Sequence, residues 1–269
     1  MARCACRHVE ESNMELKHLL YEQQGDIAVL TIDRPQKRNA VNDELIESFH
    51  RFFSKPPAAV KAVVLRGNGK HFSAGLDLSE HRERSALDVM RHSQFWHETG
   101  NLMEFGGLPI IAVLHGAVIG GGLELCMTTH VRIAEPSTFY ELPEGRRGIF
   151  VGGGASVRLA RVIGADRTRE MMLTGRRYSA EEGQALGVSH YLVGEGEAEQ
   201  RAFALARTIA GNAPASNYMM LNALARIDNM PMTEGLFTES LAAALTQTSE
   251  DAREGMRAFL EKREAKFDD

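Results

Sequence analysis

Strand-like and helix-like runs alternate along this chain as far as Gly196, after which only helical patterns remain. This order restricts the fold more than any other feature. Residues Asp26 to Asp33 (DIAVLTID) read as a strand, and the next run places Leu45, Ile46, Phe49, Phe52 and Phe53 on one face of a helix. Ala59 to Gly67 (AVKAVVLRG) is strand-like, and a glycine-containing loop, HFSAGLDL, leads to an amphipathic helix through Arg91 to Phe105. A strand at Ile110 to Leu114 and a short helix opened by Gly120, Gly121 and Gly122 follow. Strand-like VRIA (Val131 to Ala134) and VSHYLV (Val188 to Val193) flank helical patterns that include a capping-box signature, Ser179 to Glu182. Such alternation predicts parallel strands joined by crossover helices. The division predicted is a polar tail over 1–16, an α/β core over 17–195 and a helical region over 196–269. Amphipathic faces with Leu236, Phe237, Leu241, Ala244 and Leu245 suit that last region to self-association.

With 269 residues and 43% apolar content, the chain can bury a full core. A formal charge of -5 disfavours general electrostatic binding to nucleic acid or anionic membrane, so small-molecule partners are expected. The cysteines Cys4, Cys6 and Cys126 form no disulfide framework, and the first fourteen residues lack the apolar core of a signal peptide. The apolar stretch around Leu114 is broken by His115, glycines and Glu124, so no membrane span and a cytoplasmic location are expected.

Glu124 is the unusual residue of that stretch. From Ile110 to Met127 only His115 and Cys126 are ionisable besides it, and Glu144 follows twenty residues later in YELPEG. Desolvation raises a carboxyl pKa and suits the group to proton transfer, while glycines let backbone N–H groups approach a ligand. Tight turns and buried salt bridges are the structural alternatives for the same residues. The ten histidines lack the H-E-x-x-H spacing, and Gly152 to Gly154 lack the lysine and hydroxyl of a phosphate loop, so no metal site or nucleoside-triphosphate site is expected.

Six segments in order resemble the enoyl-CoA hydratase/isomerase, or crotonase, family. They are RPQKRNAV (from Arg34), HFSAGLDL (from His71), HGAVIGGGLEL (from His115), LPEGRRGIFVGGGASVRLAR (from Leu142), LTGRRYSAEEGQALGVSHYLV (from Leu173) and SEDAREGMRAFLEKREAKF (from Ser249). The resemblance implies an α/β fold, a crotonase-like spiral of ββα units with a C-terminal α-helical region, assembling as a homotrimer or homohexamer. It implies acyl-CoA thioester substrates and no cofactor, coenzyme A being part of the substrate. The backbone N–H groups of Leu76 and Gly121 would form the oxyanion hole. Glu124 would activate the water that attacks the β-carbon, and Glu144 would give a proton to the α-carbon. Coenzyme A would be held near Lys37, Arg38, Ala40, Ala74, Asp77 and Leu78, with Lys262, Lys266 and Phe267 reaching it across a subunit boundary.

The expected reaction is hydration of a 2,3-unsaturated acyl-CoA. One departure from the family pattern bears on it: hydratases commonly read F-G-Q-P-E where this chain has Tyr140-Glu141-Leu142-Pro143-Glu144. The amide that could help hold water is a leucine, and Glu141 adds a carboxylate. Val151 likewise replaces a proline. Isomerase or lyase chemistry, and hydration of methylthioacryloyl-CoA coupled to thioester hydrolysis, are the alternatives within the family, and a non-catalytic RNA-binding member is the alternative outside catalysis. Phe95 and Trp96 are expected in the core rather than in the site.

Overall fold

The computed structural model describes residues 15–80 and 83–267. The predicted tail therefore lies almost wholly outside the described residues, as do Cys4 and Cys6. In chain order the elements are β1 (Leu19–Gln24), β2 (Ile27–Ile32), α1 (Asp43–Ser54), β3 (Ala62–Gly67), α2 (Ala86–Phe105), β4 (Ile110–Leu114), β5 (Ala117–Ile119), α3 (Gly121–Cys126), β6 (Val131–Ala134) and β7 (Phe139–Glu141). They continue with α4 (Ala155–Ile163), α5 (Ala165–Thr174), β8 (Tyr178–Ser179), α6 (Ala180–Ala185), β9 (Tyr191–Leu192), α7 (Ala198–Ala210), α8 (Pro214–Met219), α9 (Ala225–Ile227), α10 (Met232–Gln247) and α11 (Glu250–Glu261). A short 3₁₀ turn, Glu144–Arg147, precedes α4, and one π-helical segment, Met220–Leu224, joins α8 to α9.

The main sheet runs β1-β2-β3-β4-β6-β9, with β1 antiparallel to β2 and every later pair parallel. Helices cover it, so its central strands are buried on both faces and read as unbroken apolar runs such as IAVLTI. On one side α1 buries Leu45, Ile46, Phe49, Phe52 and Phe53. That helix starts where it does because the Asn42 side chain accepts a hydrogen bond from Leu45 N at 3.1 Å. On the other side α7 lays Ala198, Ala202, Ala206 and Ala210, a stripe at helical spacing, against Ala62, Val64, Ile111 and Ile133. The chain past Gly196 thus begins within the layer that covers the sheet, and α8 to α11 follow it.

A second ladder decides where the site lies. Val41 bridges Leu76, Ser73 bridges Val118, β5 pairs with β7 in parallel and β7 with β8 antiparallel. Each turn of the chain gives one strand to the main sheet and one short segment to this ladder, then a helix: β2, Val41 and α1; β3, Ser73 to Leu76 and α2; β4, β5 and α3; β6, β7 and α4. The result is a spiral of ββα units.

Two sequence expectations change, and one strand, β1, is not among those expected. β1 carries no apolar alternation that marks it, and only three of its residues, Leu19, Tyr21 and Leu20, are apolar or aromatic. The strand expected over Val188 to Val193 pairs with β6 only at Tyr191–Leu192, because the N–H groups of Val188 and Ser189 turn back to the Gly183 carbonyl and close the end of α6. Helix α2 begins at Ala86 rather than Arg91, since the Ser85 hydroxyl accepts from Asp88 N at 3.2 Å. The capping box at Ser179 and Glu182 is present in full. Among the described residues, no helix is long and apolar enough to cross a membrane.

Candidate active site

Glu124 lies on α3, the helix that the glycine triplet opens, and is 5% exposed. Its Oε1 accepts hydrogen bonds from the backbone N–H of Gly153 at 2.7 Å and of Ala155 at 3.1 Å. Burial pushes this carboxyl above the usual range; the N–H groups of residues 153–155 and the nearby His97 oppose the shift. Oε2 has no hydrogen-bond partner among the described residues. A Cβ built on Gly153 would stand 2.9 Å from Oε2 of Glu124 and 2.7 Å from Cε3 of Trp96, so only glycine lets this loop reach the carboxylate.

Glu144 opens the 3₁₀ turn that follows β7. It is 6% exposed, and its Oε2 is buried with no hydrogen-bond partner. Burial, reinforced by the negative charge of Glu124, pushes it up to about 7. A carboxyl group half-protonated near neutrality can give or take a proton.

Two backbone donors complete the arrangement. In the parallel bridge to Val41, the bonds run from Val41 N to Gly75 O and from Asp77 N to Val41 O, which turns the Leu76 N–H the other way. On that side is the start of α3: a Cβ built on Gly121 would lie 3.5 Å from Leu76 N. Gly121 stands at the first position of α3, where an N–H has no intrahelical acceptor. Neither N–H finds another acceptor among the described residues. Both residues, with Glu124 and Glu144, line one cavity of about 450 Å³. Two unoccupied donors beside two proton-transfer groups can stabilise an enolate oxygen while protons move.

The description enoyl-CoA hydratase/isomerase matches residues 22–269. The chain belongs to the enoyl-CoA hydratase/isomerase family. A short-chain-enoyl-CoA hydratase from Clostridium acetobutylicum is 30% identical over 253 residues, covering 93% of this chain and 97% of the relative. An enoyl-CoA hydratase structure from Bacillus anthracis superposes with a TM-score of 0.88 at 29% identity, over 93% of this chain and 99% of that one. A Rhodopseudomonas palustris structure whose own assignment as an enoyl-CoA hydratase is provisional reaches a TM-score of 0.90 at 47% identity, covering 92% and 96%. The spiral of ββα units is the crotonase-like fold of this family.

Within that family framework, the remaining expected residues fall into two places. Leu78 and Asp77 line the cavity beside Leu76. Asp77 is tied down: its carboxylate accepts from Arg34 Nη2 at 2.9 Å and from Ser79 Oγ at 2.6 Å, and these partners hold it below the ordinary carboxylate range despite its burial. Arg38 stands in the left-handed region at φ 53, and its carbonyl accepts from Ala74 N at 3.0 Å. The Ala40 carbonyl accepts from Arg34 Nη1 at 2.6 Å, and Lys37 Nζ donates to Ser79 Oγ at 2.9 Å. Of these residues only Asp77 and Leu78 line the cavity; Lys37, Arg38, Ala40 and Ala74 do not, and are joined to that segment by the bonds just given. Lys262, Lys266 and Phe267 do not line it; they turn back on α11, where Lys266 N donates to Glu254 at 3.1 Å and the Phe267 ring approaches Gly255.

The departures from the family pattern resolve differently from expectation. Leu142 is fully buried in the main core and Glu141 is turned to Arg146 at 3.3 Å and Arg177 at 2.8 Å, so neither side chain borders the cavity. Val151 does border it. Trp96, expected in the core, both joins the core and walls the cavity, its Cη2 standing 3.0 Å from where a Cβ on Gly121 would be. Sequence reasoning also missed Asp43, His92 and Ser93, which line the same cavity. The signal available was the spacing of residues 89, 92, 93 and 96, one face of a helix.

Proposed function

We propose that this protein is an enoyl-CoA hydratase that adds water in a syn sense across a 2,3-unsaturated acyl-CoA to form a 3-hydroxyacyl-CoA. The observation that carries this reading is the convergence of Glu124 and Glu144 on one cavity beside the unoccupied N–H groups of Leu76 and Gly121. The thioester oxygen accepts from those two N–H groups as it gains enolate charge. Glu124, held through Oε1 by the loop at Gly153, uses Oε2 to orient a water and take its proton as oxygen attacks the β-carbon. Glu144 gives its proton to the α-carbon, and the reverse transfers run the dehydration. Lys37, Arg38, Ala40, Ala74, Asp77 and Leu78 cradle coenzyme A, and Lys262, Lys266 and Phe267 meet it from a neighbouring subunit of a homotrimer or homohexamer. The names of the relatives at about this chain's full length support the same chemistry.

The test follows crotonyl-CoA with purified protein and its Glu124→Gln and Glu144→Gln forms. Stable 3-hydroxybutyryl-CoA from the wild type, with turnover reduced on the order of 100 to 10,000-fold in either variant while both still unfold cooperatively, is the expected result. Near-normal turnover by either variant removes that glutamate from the mechanism. Positional isomers of the double bond as sole products would replace hydration by isomerisation. Free CoA and methanethiol from methylthioacryloyl-CoA would extend it to hydration coupled with thioester hydrolysis.

A further inference from the structure

Resting on the hydratase reading, the cavity also carries information about the part of the substrate beyond the double bond. Trp96 stands at the reaction centre, with its benzo edge against Gly121 and Gly153. From there the cavity follows α2 toward its N-terminus, past Ser93 and His92 to Val89. Side chains on a helix lean toward its N-terminus, so this face leads away from the two glutamates.

One turn out from Trp96 the wall becomes polar. His92 Nε2 lies 2.7 Å from Asp43 Oδ1, and the other oxygen of Asp43 accepts from Arg84 Nη2 at 2.7 Å. A carboxylate only accepts, so Nε2 carries a proton, and in the neutral form of the ring Nδ1 is the acceptor. Nδ1 has no hydrogen-bond partner among the described residues. The His92 ring is also set edge-on to Trp96, with centroids 6.3 Å apart. Ion pairs this exposed add little stability, so stability is a weak reason for the arrangement. Among the described residues at this end, three carboxylates, Asp43, Asp77 and Glu80, share two guanidinium groups, those of Arg84 and Arg34, which disfavours a carboxylate-ended tail.

We propose that the acyl tail of the substrate ends in a neutral hydrogen-bond donor, a hydroxyl, which His92 receives. The distance fits a defined length. His92 is four residues from Trp96, about 6 Å along a helix. An extended chain advances about 1.2 Å per bond, which places the hydroxyl oxygen about five bonds beyond the β-carbon. Arg147, also on the cavity, sits in the turn that carries Glu144 rather than on α2. A carboxylate-ended tail is therefore the rival that the experiment must exclude.

The experiment measures kcat/KM for 7-hydroxyhept-2-enoyl-CoA, its isostere oct-2-enoyl-CoA, and the seven-carbon analogue ending in a carboxylate, with wild type and His92→Leu. The expected result is a preference of about tenfold for the hydroxyl over the methyl isostere in the wild type, falling to about one in His92→Leu. Equal use of the two in the wild type, a preference that survives His92→Leu, or a larger preference for the carboxylate overturns the proposal. Hydration of oct-2-enoyl-CoA without such a preference leaves the hydratase reading standing. If none of the enoyl-CoA compounds is hydrated, that reading fails, and the tail assignment is decided by calorimetric binding of 7-hydroxyheptanoyl-CoA against octanoyl-CoA on the same tenfold criterion.

Discussion

A Cβ placed on Gly120 would stand 2.8 Å from Oε1 of Glu144. Gly120 also has φ 51 and ψ -124, a conformation that side-chain-bearing residues rarely adopt. Its N–H donates to the Glu141 carbonyl at 2.9 Å and so ties α3 to β7, the strand that leads into Glu144. One glycine therefore joins the segments that carry the two carboxylates. Gly120→Ala should cost about 1–3 kcal/mol in stability through backbone strain. It should also reduce turnover more than Gly148→Ala, where nothing lies within 4 Å of the added carbon although the backbone is again left-handed. Denaturation and hydratase assays on the pair check this, and equal losses of turnover would detach Gly120 from the Glu144 geometry.

The raised pKa of Glu144 has a defined effect on stability. Its carboxyl titrates near 7 in the folded protein against an ordinary 4.5, so between those values the folded state binds more protons than the unfolded one. Stability from this group is thus lost as pH rises through the window and is not regained above it. Compared with Glu144→Gln, the wild type should be progressively less stable on moving from about pH 5 to about pH 8, as measured by urea unfolding. A difference that stays constant or reverses contradicts the assignment.

Activity should follow the same group. Hydration needs protonated Glu144, so its kcat/KM should fall as pH rises through about 7. Dehydration of 3-hydroxybutyryl-CoA starts from the form with the proton on Glu124 and Glu144 ionised, which holds the same number of protons, and the overall reaction takes up none, so its kcat/KM should fall in parallel. Initial rates at low substrate across pH test this, and a hydration kcat/KM that stays flat or rises through about pH 7 would assign the proton to another group.

Arg34 supports the segment of Leu76, proposed to bind the oxyanion. Its buried guanidinium donates to the Ala40 carbonyl at 2.6 Å and to Asp77 and Glu80 at 2.9 Å, joining the chain just before Val41, the bridge partner of Leu76, to the chain just after Leu76. Arg34→Ala leaves the buried Asp77 without its cation and should cost about 3–5 kcal/mol. Arg34→Lys keeps the charge but not the fork of donors and should recover only part of that loss. Thermal unfolding of the two variants checks the ranking.

Self-association should use α10, where Phe237, Leu241 and Leu245 form an exposed apolar stripe at helical spacing. Light scattering should give the mass of a trimer or hexamer for the wild type and a smaller species for the double variant Phe237→Glu, Leu241→Glu. A wild-type monomer at micromolar concentration rejects the proposed assembly.

Sequence periodicity alone determined the elements whose apolar faces are continuous: the five buried apolar residues of α1, the apolar strands β2 to β4 and the start of α3 at the glycine triplet. Each of these is a local pattern, set by side chains one strand pleat or one helical turn apart. The family motifs likewise marked Glu124, Glu144, Leu76 and Gly121 by their local sequence. What only the tertiary structure decided depends on residues far apart in the chain. The second ladder rests on single-residue bridges at Val41 and Ser73, too short to leave a period, yet it turns the Leu76 N–H toward Gly121. Glu141 and Glu144 are three residues apart and equally acidic in sequence, but β7 sends the first to Arg177 and the 3₁₀ turn sends the second to the cavity. Trp96 looked like core because an aromatic on a helix usually is; the close approach of Gly121 and Gly153 made it also a wall of the site. His92 and Asp43 lie on different helices, and only the packing of α1 against α2 joined them on one cavity.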